Sequence, residues 1–126
     1  MKSSIETKEA PVAIGPYSQA IYFNRVVYVS GQLPLHPDTG EIVGDDIEKQ
    51  TQQVLKNIDA ILFNAGTNKD NILKTTIFIT DINDFSKVND IYSGYVKGTV
   101  YPARSTIGVF SLPKGALVEI EVVAGV

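Results

Sequence analysis

The 126 residues are 44% hydrophobic and 20% charged, a balance that suits a chain folding around one core and excludes disorder, so a single domain over 1–126 is expected. The 11 Lys and Arg against 14 Asp and Glu give a formal net charge of −3. With no basic run, the electrostatic footprint of nucleic-acid binding is missing. The chain has no cysteine and 1 histidine, which removes disulfides and thiol nucleophiles and fits a reducing compartment.

The N-terminal stretch 1–11 carries Glu6 and Glu9 and no apolar core, unlike a signal or transit peptide, and a cytoplasmic location is expected. No run approaches the roughly 20 apolar residues of a membrane helix. Gln19 to Phe23 and Val26 to Ser30 are β-branched and aromatic runs flanking Asn24-Arg25, which predicts a hairpin ended by Gly31. The stretch 34–44, with Pro34, Pro37, Gly40 and Gly44, predicts a loop.

A long helix follows. Asp45 with Glu48 three residues on reads as a capping box. Ile47, Val54, Leu55, Ile58, Ile61 and Leu62 recur on one helical face, and Gly66 supplies the stop. Residues 72–80 (ILKTTIFIT) predict a strand. Phe85, Val88, Tyr92 and Tyr95 mark a second amphipathic helix that stops near Gly98. Ser105 to Phe110 and Ala116 to Val123 then predict two strands joined through Leu112-Pro113-Lys114-Gly115.

The order β-β-α-β-α-β-β is an α+β pattern, a sheet with two helices on one face. Ile77, Ile79, Ile120 and Val122 fall on one alternating set, and Phe78, Glu119 and Glu121 on the other. Both faces carry apolar or functional groups, so the second face is expected to pack against further copies of the chain.

Chemistry is first a matter of exclusion. His36, alone in a proline-flanked loop, reads as a solvated residue and cannot build a transition-metal site, which needs several His or Cys ligands. Neither a GxGxxG nor a GxxxxGK[ST] cradle is present. Lys74 reads as a strand lysine reaching the sheet edge rather than a Schiff-base amine.

Other residues are more telling. Arg104, at the entry to a strand, could hold a carboxylate through its guanidinium fork or form a surface ion pair. Glu119 and Glu121 share one face of an apolar strand. They could face a polar cleft or blunt a sheet edge. Tyr17, in Gly15-Pro16-Tyr17-Ser18, presents a phenol from a turn. Ser30-Gly31-Gln32 leaves backbone open to a close approach. If the last two strands pair about a turn between Pro113 and Lys114, Glu119 lies opposite Gly108. Arg104 is then about 13 Å further along the strand.

Several segments together resemble the YjgF/RidA/L-PSP family in its archetypal RidA group. They are Ile14-Gly15-Pro16-Tyr17-Ser18-Gln19, Ser30-Gly31-Gln32-Leu33-Pro34, residues 51–58, Asn83-Asp84-Phe85 with Val88-Asn89, Pro102-Ala103-Arg104-Ser105, and Leu112-Pro113-Lys114 with Val118-Glu119-Ile120-Glu121. The match runs from about Thr7 to Ala124. The resemblance implies a chorismate-mutase-like fold and a homotrimer whose sheets form a barrel, with sites between subunits. It also implies cofactor-free hydrolysis of 2-iminobutanoate and 2-iminopropanoate to 2-oxo acids and ammonia.

Carried over, Arg104 would hold the substrate carboxylate and Glu119 would orient or deprotonate water. Tyr17 would shape the cleft and bond the substrate, and Ser30, Gly31 and Asn89 would line or brace it. Thr106 stands where many members have cysteine, and would line the pocket through its backbone. The alternatives are a small-carboxylate-binding regulatory module using the same cleft, or the endoribonuclease and translation-inhibitor activities also attached to the family.

Overall fold

The computed structural model describes residues 1–126. The strands are β1 (Ser3–Ile5), β2 (Ala20–Phe23), β3 (Val26–Gln32), β4 (Ile72–Ile79), β5 (Ala103–Gly108) and β6 (Val118–Gly125), and the helices α1 (Ile47–Asn64) and α2 (Phe85–Tyr95). One six-stranded sheet runs in the order β1-β2-β3-β6-β4-β5. It is antiparallel throughout except for the parallel β4–β5 pair. This is the α+β architecture expected, with the short β1 added at one edge. No helix is long and apolar enough to cross a membrane.

Local chemistry explains the elements. Asn24 and Arg25 take φ of 51° and 63° between β2 and β3, the left-handed pair that lets a two-residue turn match strand twist. Asp46, not Asp45, caps α1, its side chain accepting from the Lys49 N–H at 2.8 Å. The carboxylate must sit three residues before the donor, and the helix begins one residue later than the Asp45–Glu48 pairing requires. At the far end Gly66 adopts φ of 83° and the Thr67 N–H closes on the Leu62 carbonyl, which ends the helix as predicted.

The apolar face of α1 lies on the sheet. Ile58, Ile61, Leu62, Ile77, Ile79 and Ile120 are fully buried, each worth about 1.5–3 kcal/mol relative to exposure. Both helices cover the same sheet face, which carries Ile77, Ile79, Ile120 and Val122. Glu119, Glu121 and Phe78 point the other way. On that uncovered face Tyr28 is 50% exposed and Ile107 44%.

Two further expectations are corrected. The last two strands do not form a hairpin, because β4 lies between them. Phe78, not Gly108, sits opposite Glu119. The nine residues 109–117 have to step over the end of β4, which a tight turn at Pro113-Lys114 cannot do. Nor does β3 end at Gly31. It runs on to Gln32 through a bulge, since Val29 pairs with Val122 and Gln32 with Ile120. Ser30 and Gly31 therefore both oppose Glu121.

Candidate active site

Arg104 leaves β5 on the helix-covered side, level with the buried Thr75 of β4. Its Nη1 donates to Asn89 Oδ1 at 2.6 Å. Its guanidinium carbon lies 5.2 Å from the Tyr92 ring centre and 5.5 Å from that of Phe85. Phe85, Asn89 and Tyr92 are i, i+4 and i+7 on α2, one helical face. The Tyr92 hydroxyl bonds Thr75 Oγ1 at 2.9 Å, which fixes the ring. Arg104 is thus a charged fork held by one amide and two aromatic faces, with donors left for a carboxylate.

A crevice of about 340 Å³ opens beside Arg104, walled by Asn89, Tyr92 and Tyr101 among others. On the other side of the guanidinium, Ile82, Phe85 and Thr106 line a second recess. The Thr106 hydroxyl is buried there with no hydrogen-bond partner. Sequence reasoning placed Phe85 and Tyr92 in the core alone. The signal for their second role was their helical spacing about Asn89.

Glu119 belongs to the opposite, uncovered face, between the fully buried Val118 and Ile120. Its carboxyl lies over Gly31, where any Cβ would collide with it. Gly31 is needed for this close approach and not for an unusual φ. The Ser30 hydroxyl donates to the Ser18 carbonyl at 2.6 Å and its N–H to the Gln19 carbonyl. This seats the Tyr17-Ser18 turn beside the bulge. Tyr17 itself is 54% exposed.

Burial raises the proton affinity of Glu119, and the charge of Glu121 raises it further. The sign for stability follows. Folding favours the protonated form, so the contribution is present below the ordinary value of 4.5 and is lost as pH rises through the elevated one. Glu119→Gln is therefore expected to melt higher than wild type at pH 7, with the advantage shrinking toward pH 4. Thermal unfolding followed at both pH values checks this; a variant equally less stable at both contradicts it.

The residues thus fall into two groups. Asn89, Arg104 and Thr106 lie with α2 and β5; Tyr17, Ser30, Gly31 and Glu119 lie at the β2–β3–β6 end of the uncovered face. Arg104 is level with Val122 and Glu119 with Ile107. Two strand spacings and three residues put their Cα atoms about 14 Å apart, on opposite faces. Tyr17 is beyond β2, about 19 Å across the sheet from β5. Within one protomer these groups do not meet. No cluster of three or more His, Cys, Asp or Glu side chains suited to a metal is formed.

The family model described as endoribonuclease L-PSP matches residues 7–126. The chain belongs to this family, the YjgF/RidA group. Among its Rid relatives, a Lactococcus lactis protein named putative regulator AldR is 54% identical over 122 residues, covering 97% of this chain and 96% of that one. A human protein named 2-iminobutanoate/2-iminopropanoate deaminase is 47% identical over 120 residues, covering 95% of this chain and 87% of that one. A crystal structure of YyfA from Yersinia pestis, a Rid-family protein of unknown function, superposes with a TM-score of 0.98 at 71% identity over the whole of both chains. The fold of this Rid protein is therefore the family's fold, and the names within the family divide between regulator, endoribonuclease and deaminase.

Proposed function

We propose that this Rid protein is a 2-imino acid deaminase that hydrolyses 2-iminobutanoate and 2-iminopropanoate to 2-oxo acids and ammonia, at sites completed between copies of the chain in a homotrimer. The observation that carries the reading is the restrained Arg104 fork, with donors to spare beside an open crevice. The name of the 47% identical human relative agrees with it.

Arg104 holds the substrate carboxylate through paired N–H donors, which turns a loose encounter into an aligned one. Glu119 takes a proton as the oxygen of water adds to the carbon of the protonated imine. It then returns that proton to the nitrogen and, as the C–N bond breaks, takes the remaining hydroxyl proton, so that ammonia leaves, a neutral carbonyl remains and the proton passes on to ammonia. Such assistance is worth about 10²–10⁴-fold. The imine carbon is already electrophilic, so neither a metal nor a cofactor is needed for the addition.

The two residue groups face away from each other within a protomer, and the uncovered sheet face leaves Tyr28 and Ile107 exposed for contact with another copy. Both features support a site shared between subunits. In the decisive experiment an amino-acid oxidase generates the imine and semicarbazide traps it, with and without the protein. Wild type diverts imine from the trap and Arg104→Ala does not. Equal trapping with both ends the proposal.

Gly31→Ala is expected to lower turnover about 10-fold while the protein stays folded, because the new methyl group displaces the Glu119 carboxyl. The same trapping assay with circular dichroism checks it; unchanged turnover detaches Glu119 from its seat over Gly31. The regulator name of the 54% identical relative favours a second reading, carboxylate binding without turnover. Glu119→Gln separates the two: binding of 2-oxobutanoate with loss of hydrolysis is the enzyme's behaviour.

A further inference from the structure

Gln19, immediately before β2, is only 2% exposed and has no part in the chemistry above. The ladder between β1 and β2 ends at the Ile5–Ala20 pair. One step on, the Gln19 side chain takes over from the backbone. Its Oε1 accepts from the Thr7 N–H at 2.7 Å and its Nε2 donates to the Thr7 carbonyl at 3.0 Å. A strand residue exchanges the same two bonds with its partner in an antiparallel ladder. The same Nε2 donates to the Pro11 carbonyl at 2.8 Å and, at greater length, to the Ala10 carbonyl at 3.3 Å. Both N–H groups and the carbonyl of the amide are thus engaged, all with backbone.

From Pro11 the chain projects Val12, Ile14 and Tyr17 outward and returns at Ser18. The Ser18 carbonyl is held by the Ser30 hydroxyl at 2.6 Å, and the Gln19 carbonyl takes the Ser30 N–H at 2.9 Å. The loop 12–17 therefore has two fastened feet, the first tied by the Gln19 amide and the second by Ser30. Within it the Tyr17 N–H closes on the Gly15 carbonyl at 2.9 Å, across a φ of 120° at Gly15. Every one of these bonds closes inside one chain, so the loop is shaped before any second copy arrives. Releasing one foot frees several backbone dihedrals at once, and a displacement of about 1 Å at a substrate-positioning group costs up to about 10²-fold.

We propose that Gln19 is a positioning residue: its side-chain amide fastens the first foot of the loop 12–17 and so sets where the Tyr17 phenol stands at the site. It touches no substrate and acts through Tyr17. What Tyr17 does there rests on the deaminase reading; the fastening of the loop does not.

The test is a double-mutant cycle. Gln19→Met keeps the length of the side chain and removes the amide. Gln19→Glu keeps an acceptor for the Thr7 N–H and removes the donors to Ala10 and Pro11. Each is expected to lower turnover in the trapping assay about 10-fold in a protein that stays folded by circular dichroism. In a Tyr17→Ala background neither is expected to lower it further. Amide exchange separates the strap 7–11 from the loop. The Thr7 N–H is expected to exchange about 10-fold faster in Gln19→Met and near its wild-type rate in Gln19→Glu.

Losses that multiply in the double variants overturn the proposal, because a general weakening adds to Tyr17→Ala whereas a loss through Tyr17 does not. Unchanged turnover in both variants overturns it too. So does turnover that follows the Thr7 N–H, kept in Gln19→Glu and lost in Gln19→Met. If Gln19→Met does not fold, Gln19→Glu carries the cycle alone. In a protein without deaminase activity the Tyr17 ring resonances still decide the structural claim. They are expected to move in Gln19→Glu while those of Tyr92 keep their place. Unmoved Tyr17 signals end the proposal; moved signals in an inactive protein remove only the function proposed above.

Discussion

Exchange of Arg104 for lysine is expected to lower kcat/KM for a small 2-imino acid by about 10²-fold, although the positive charge is kept. The reason is geometric. One guanidinium N–H is committed to Asn89 Oδ1 at 2.6 Å, and the guanidinium carbon lies over the Tyr92 and Phe85 rings at 5.2 and 5.5 Å from their centres. That leaves four of the five guanidinium N–H donors to pair with both carboxylate oxygens. A lysine ammonium is a shorter, compact point charge. It cannot serve Asn89 and a bidentate carboxylate together, and it lacks the planar face for two rings.

If the clamp binds substrate and transition state alike, the loss falls on KM with kcat nearly kept. Varying the rate of imine generation against fixed semicarbazide separates the two. Asn89→Ala should lose less than Arg104→Lys, because the rings still hold the guanidinium. A lysine variant within threefold of wild type removes the fork from the mechanism.

Much of this was legible in the residues. The helical face from Ile47 to Leu62, the Asn24-Arg25 turn and the stop at Gly66 follow from local rules, and the structure keeps them. Alternation alone put Glu119 and Glu121 on the face opposite Ile120. The neighbour of β6 was not legible. Leu112-Pro113-Lys114-Gly115 carries hairpin chemistry, and Lys114 does take φ of 59°. Yet β4 pairs with β6 at seven positions and with β5 at six. Those pairings join residues distant in sequence, decided by packing against α1 and α2, which a local signal cannot report.

The site was legible as chemistry and not as geometry. A glycine beside a serine read as a strand end, because a bulge depends on the register of the partner strand. Opposite faces for Arg104 and Glu119 follow only once β4 is known to lie between their strands. A hairpin would set them on adjacent strands about 13 Å apart along the chain direction, already long for one small substrate and compatible with a meeting across a subunit boundary.

That separation leads to the second large effect, recovery of activity by mixing two dead variants. Arg104→Ala keeps an intact Tyr17, Ser30, Gly31 and Glu119 group; Glu119→Gln keeps an intact Asn89, Arg104 and Thr106 group. Each alone is expected to lose about 10²-fold or more in turnover. If a site draws one group from each of two copies, random reassembly of equal amounts makes some sites wholly intact. Each contributor is correct with even odds, so about a quarter of the sites recover in a closed symmetric ring. The subunits are exchanged by mild denaturation and dilution, and the trapping assay is run before and after. Recovery near that fraction requires groups from different chains, because a site built within one chain stays dead in any mixture. A mixture no better than its components, with mixed oligomers verified by mass, would return both groups to a single protomer, where about 14 Å and the sheet itself lie between them.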